Sequence, residues 1–98
     1  MQKEAKLEDI FDESLKNMVS LEKIIYESIP MYKENPTEHM KYIITNLCNN
    51  ARNQISVLIE MLPKVCNGEL LVNYREKLDL KYEDLINIQK EIQETKQK

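Results

Sequence analysis

Glycine is nearly missing from this sequence: Gly68 stands alone among 98 residues. The phosphate cradles of P-loop and dinucleotide-binding proteins need two or more glycines at fixed spacing, so neither fingerprint can be built. Histidine is as scarce, with His39 beside Glu38 at the start of a helical stretch, where a solvent-facing ring is expected. HExxH is missing, and so are the Glu and His three apart on paired helices that make a helical di-metal site. Cys48 and Cys66 lie eighteen positions apart with no second pair and no histidine close by. That spacing suggests neither a zinc site nor a disulfide framework, and both cysteines read as small core or boundary residues of a reducing compartment. Lys64 near Cys66 is too little to mark a nucleophile. No metal and no cofactor is therefore expected.

No apolar run approaches the ~20 residues that span a bilayer. The opening Met1-Gln2-Lys3-Glu4-Ala5-Lys6 leads into an acidic segment and not into the apolar core of a signal peptide. Neither membrane insertion nor export is expected. A positive excess is missing too: fourteen Lys and Arg face seventeen Asp and Glu, a net charge of −3, and the cations are scattered. Nucleic acid binding draws on clustered cations that neutralise phosphates, and is disfavoured here. The Lys-rich end, Lys90, Lys96 and Lys98, is interrupted by Glu91 and Glu94 and reads as a solvated helix end.

What remains is a helix-former's text of Leu, Ile, Glu, Lys, Asn and Gln. It is 42% hydrophobic and 32% charged, too apolar for an intrinsically disordered chain. The length suits one domain over residues 1–98. A core this small leaves stability thin, so association would add to it.

Periodicity divides the chain into three helices, at about 6–29, 36–62 and 69–94. In the first, Leu7, Ile10, Phe11, Leu15, Met18, Leu21, Ile24 and Ile25 gather on one side. Pro30 is expected to end it or bend it, leaving 31–34 as a connection. Asn35, Pro36 and Glu38 then read as cap, first and third positions of the second helix, which carries Met40, Ile43, Ile44, Leu47, Ala51, Ile55, Leu58 and Leu62. Pro63 and Asn67-Gly68 break the pattern, with Gly68 supplying a positive backbone angle. Leu71, Tyr74, Leu78, Tyr82, Leu85, Ile88 and Ile92 make the apolar face of the third. Short connections imply an all-α, antiparallel bundle of three long helices, with dimerisation as a means of completing it.

The polar middle of the second helix departs from this pattern: Asn46, Cys48, Asn49, Asn50, Arg52, Asn53 and Gln54. Asn50 and Gln54 fall at the margin of the apolar face, the other asparagines further out; the run reads first as a solvated back face with one hydrogen-bonded polar layer, and alternatively as a polar strip contacting a partner. In the third helix Arg75 and Gln89 enter the apolar stripe while Leu80 points away from it. Apolar residues exceed what two neighbours need: Val19 and Ile29, Val57 and Ile59, and Leu70, Leu80 and Ile86. The expected function is a small cytoplasmic protein–protein interaction or regulatory module without catalysis, a homodimer with a further protein partner. Asn50, Gln54, Val57, Arg75, Leu80 and Tyr82 are its candidate interface. The alternatives are a metal-binding or enzymatic protein using Glu38, His39 or a cysteine, and a nucleic-acid-associated protein acting through the Lys-rich third helix.

Overall fold

A computed structural model describes residues 6–95. Three α-helices follow one another, α1 (Leu7–Glu34), α2 (Glu38–Val65) and α3 (Gly68–Glu94), with no strand among the described residues. They form an up-down-up bundle in which α2 packs against both neighbours. No helix of the described residues is long and apolar enough to cross a membrane.

The prolines do not end their helices. α1 continues through Pro30 to Glu34, and α2 through Pro63 to Val65. Both rings are exposed, so each carbonyl that loses its helical partner lies toward water. The extra turn after Pro30 also buries Tyr32 completely. Its hydroxyl donates to the Ile92 carbonyl at 3.3 Å, in the last turn of α3, whose carbonyls find no helical partner among the described residues beyond Glu91.

The first corner likewise differs from the expected capping. Asn35 finishes α1, its N–H donating to the Met31 carbonyl at 3.1 Å, and Pro36 lies buried in the corner. Thr37 is the N-cap of α2: its Oγ1 accepts from the Met40 N–H at 3.1 Å. A hydroxyl cap at that position satisfies a donor which Asn35, two residues earlier, does not reach. At the second corner Gly68 has φ +62°, as expected for the one glycine, and opens α3.

The core is built on seven-residue spacing. Phe11, Met18, Ile25 and Tyr32 are buried along α1; Ile44, Ala51 and Leu58, with Cys48, Ile55 and Leu62, along α2; and Leu78, Leu85 and Ile92 along α3. Such spacing keeps one seam facing its partner over the full length of a slightly supercoiled helix. Leu7, Ile10, Ile24 and Ile43, counted in the stripes by periodicity, are exposed.

The bundle is flattened. No Cα of α1 comes within 8 Å of one in α3, and the Cα extents are 56 × 34 × 16 Å. The radius of gyration is 16.1 Å, against about 13 Å for a compact domain of this length. Long side chains bridge the gap between α1 and α3. Phe11 and Tyr74 meet edge to face with centroids 6.1 Å apart, Glu22 pairs with Lys81 and Lys33 with Glu91, and Tyr32 reaches Ile92.

Tyr32 therefore docks both the post-proline turn and the far end of α3. Tyr32→Ala is expected to lower unfolding free energy by about 3 kcal/mol or more through the cavity it leaves, and Tyr32→Phe by only about 1 kcal/mol. Urea denaturation measures both, and parent-like stability of Tyr32→Ala would mean that the turn after Pro30 is not docked.

Candidate functional site

Two rows of exposed side chains run along the outer face shared by α1 and α2. On α1 the row is Ile10, Asn17, Ile24 and Met31; on α2 it is Ile43, Asn50 and Val57, each spaced by seven. Every apolar member is at least partly in solvent, from Ile43 at 39% to Met31 at 60%. Each row thus repeats the spacing of the core seam beside it and carries one asparagine among apolar residues.

The rows meet across a shallow groove lined by Asn17, Ser20, Leu21, Ile24, Asn50, Asn53 and Gln54. No charged side chain lines it, in a chain that is 32% charged. None of the five polar side chains makes a hydrogen bond to another described residue, so their donors and acceptors face solvent. Asn50 is exposed and Gln54 half-buried. Val57 stands one turn beyond them, 45% exposed. The structure brings these three of the six candidate residues onto one face.

The other three stand on α3. Arg75 lies on the exposed side instead of within the stripe, its Nε donating to Asp79 Oδ1 of the same helix at 3.2 Å. Leu80 is 62% exposed. Tyr82 is half-buried and already engaged: Arg52 donates from Nη2 to its hydroxyl at 3.1 Å, with the guanidinium carbon 5.0 Å from the ring centroid. Arg52 Nη1 also donates to Gln89 Oε1 at 2.8 Å, and Gln89 Nε2 to Asn49 Oδ1 at 2.8 Å. The polar middle of α2 thus splits. Asn49 and Arg52 lock α2 to α3, while Asn50, Asn53 and Gln54 line the groove toward α1. Two buried polar atoms, Thr45 Oγ1 and Arg52 Nε, have no partner among the described residues.

Sequence reasoning missed the charged pairs, among them one with a buried member. Lys81 Nζ donates to both oxygens of Glu22, at 2.9 and 3.2 Å, with the Glu22 side chain 11% exposed. A signal was present: Glu22 interrupts Leu15 and Ile29 at seven-residue spacing, and Lys81 interrupts Tyr74 and Ile88 in the same way. Asn17 was missed as well, although it interrupts Ile10 and Ile24 at that spacing.

Cys48 is fully buried, and burial pushes its thiol up to about 11, with Arg52 pulling weakly the other way. Cys66 is half-buried at the C-cap of α2, its Sγ donating to the Leu62 carbonyl at 3.5 Å. His39 is exposed in the first turn of α2. Among the described residues no three His, Cys, Asp or Glu side chains converge as a metal site would need. Lys90 is exposed, and Lys96 and Lys98 lie outside the described residues. Comparison with models of known families, with curated proteins and with solved structures yields no match to this chain.

Two measurements check this arrangement. Lys81→Met leaves the Glu22 carboxylate without its cation and should lower stability by about 1 to 3 kcal/mol, while Glu22→Leu/Lys81→Met should recover most of that loss. The Cys48 thiol has its ordinary value near 9 in the unfolded chain and about 11 in the folded one. Its full contribution is present below pH 9 and is lost as pH rises through that interval, because the unfolded chain releases its proton first. Cys48→Ala should flatten the alkaline fall of the melting temperature; an unchanged slope would assign it to other groups.

Proposed function

We propose that this protein is a non-catalytic interaction or regulatory module of the cytoplasm that presents the outer face of α1 and α2 to another helical surface, and that it does so as a homodimer. The observation that carries the reading is the pair of exposed heptad rows, Ile10-Asn17-Ile24-Met31 and Ile43-Asn50-Val57, around an uncharged groove. Seven-residue apolar spacing is what a helix needs to form a seam with a neighbour, and no helix among the described residues covers these rows. A lone asparagine in such a row loses some stability and fixes register and partner number.

Self-pairing is supported by the chemistry of the groove. A carboxamide both donates and accepts, so a face centred on Asn17, Asn50, Asn53 and Gln54 is complementary to its own copy, whereas a charged face would repel itself. Two free cysteines, one buried and one half-buried, suit a reducing compartment. Arg75, Leu80 and Tyr82 fall outside this face, and the exposed Leu80 and Arg75 are left as contacts for the further protein partner.

Sedimentation at micromolar concentration is the test. The parent should sediment at twice the 11.7 kDa chain mass, and Ile24→Asp/Val57→Asp as a monomer that melts like a folded helical protein. A parent that stays monomeric at every concentration overturns the homodimer. Capture of a second protein by the parent but not by that variant would then keep the interaction reading, and loss of both would end it.

A further inference from the structure

At the far end of the bundle, where α1 begins, α2 ends and α3 begins, the three helices enclose an open cavity of about 160 Å³. Its walls include Phe11, Leu62, Leu70 and Tyr74, and the carboxylates of Glu8 and Asp12 stand at it. Leu62 and Phe11 are buried, Tyr74 is half-buried, and Leu70 is 56% exposed. The Phe11–Tyr74 edge-to-face contact fixes both rings. Glu8 and Asp12 are exposed one turn apart, and neither has an ion pair or hydrogen-bonded partner among the described residues. Glu8 lies in the first turn of α1, where a carboxylate suits the helix dipole; Asp12 lies one turn further in, a like charge at a spacing that destabilises a helix slightly.

From this geometry we propose that the cavity binds an organic cation carried on a short apolar stem, a primary amine or guanidinium. The volume is close to the ~150 Å³ that accommodates a benzene ring in an apolar protein cavity. The stem lies against Leu62, Leu70 and the rings, and the cation is met by the two carboxylates and by the ring faces. An anion is repelled by Glu8 and Asp12, and a neutral isostere gains only the apolar contact. A free amine and the lysine or arginine side chain of a partner chain share this chemistry. The site is separate from the α1/α2 groove and stands without the homodimer.

Titration of the full chain with phenethylamine, phenethyl alcohol and phenylacetate, followed by the backbone amide signals of Phe11, Cys66 and Tyr74, tests it. The amine should give saturable shifts with a dissociation constant on the order of 1 mM or tighter, and the alcohol and the anion should bind at least about tenfold more weakly. Glu8→Gln/Asp12→Asn should bring the amine to the level of the alcohol with the fold intact by circular dichroism. N-acetyl-lysine amide tells the sources apart. Saturation by it at the affinity of phenethylamine or better points to a partner's side chain, and weaker binding to a free amine. Equal binding of all three phenyl probes, or no saturable shift from the amine, overturns the proposal.

Discussion

The bundle depends on a single buried face of α2. Ile44, Cys48, Ala51, Ile55, Leu58 and Leu62 are all fully removed from solvent, and they are the surface that α1 and α3 have in common, since the backbones of those two helices stay apart. A triangular bundle shares its core among three helix pairs. Here two pairs carry it, and the third is spanned by side-chain tips. The identity of α2 as the central helix is therefore also the condition for the flattened outline. A chain that spreads its helices this way leaves a large share of apolar surface in water, which is the physical root of the exposed rows on α1 and α2.

Three polar clusters occupy three flanks of this frame, and they differ in how completely they are satisfied. Glu22 and Lys81 pair between α1 and α3. Arg52, Tyr82, Gln89 and Asn49 close a network between α2 and α3. These two have structural work to do, because each ties together helices that need lateral support. The carboxamides of Asn17, Asn50, Asn53 and Gln54 have no such partner among the described residues. Asparagine is a poor residue for a helix interior. Its accumulation there without an internal bond is what the proposed interaction would use.

Much of the fold was legible because its signals are local and periodic. Three apolar stripes, a glycine with a positive angle and two breaks are visible in the order of residues alone. The prolines misled because the rule against them describes an isolated helix with nothing to gain beyond the ring. At Pro30 the next turn places Tyr32 in the core, a tertiary reward that local reasoning does not see. Ile10, Ile24 and Ile43 were counted as core because a 100° wheel cannot say how much of a wide stripe a neighbour covers; in a flattened bundle the edge stays uncovered. That Tyr82, on the apolar face and a candidate for the interface, is engaged within the chain was not legible, since its partner Arg52 lies thirty residues earlier. Glu22 and Lys81 were readable only by asking which charged residues break an apolar row at seven-residue spacing, and their pairing needed the structure.

The three-residue corner at Asn35, Pro36 and Thr37 has a kinetic consequence. It joins two long helices into a hairpin whose contacts near the corner are close in sequence, and local contacts of that kind form early because little loop entropy has to be lost. The bridges from α1 to α3 join residues from 58 (Lys33–Glu91) to 63 (Phe11–Tyr74) positions apart and can form only once all three helices are together. The two-residue corner at Cys66 and Asn67 makes the α2–α3 hairpin just as local, so either hairpin is expected to form early, with the long bridges closing afterwards and slowing unfolding.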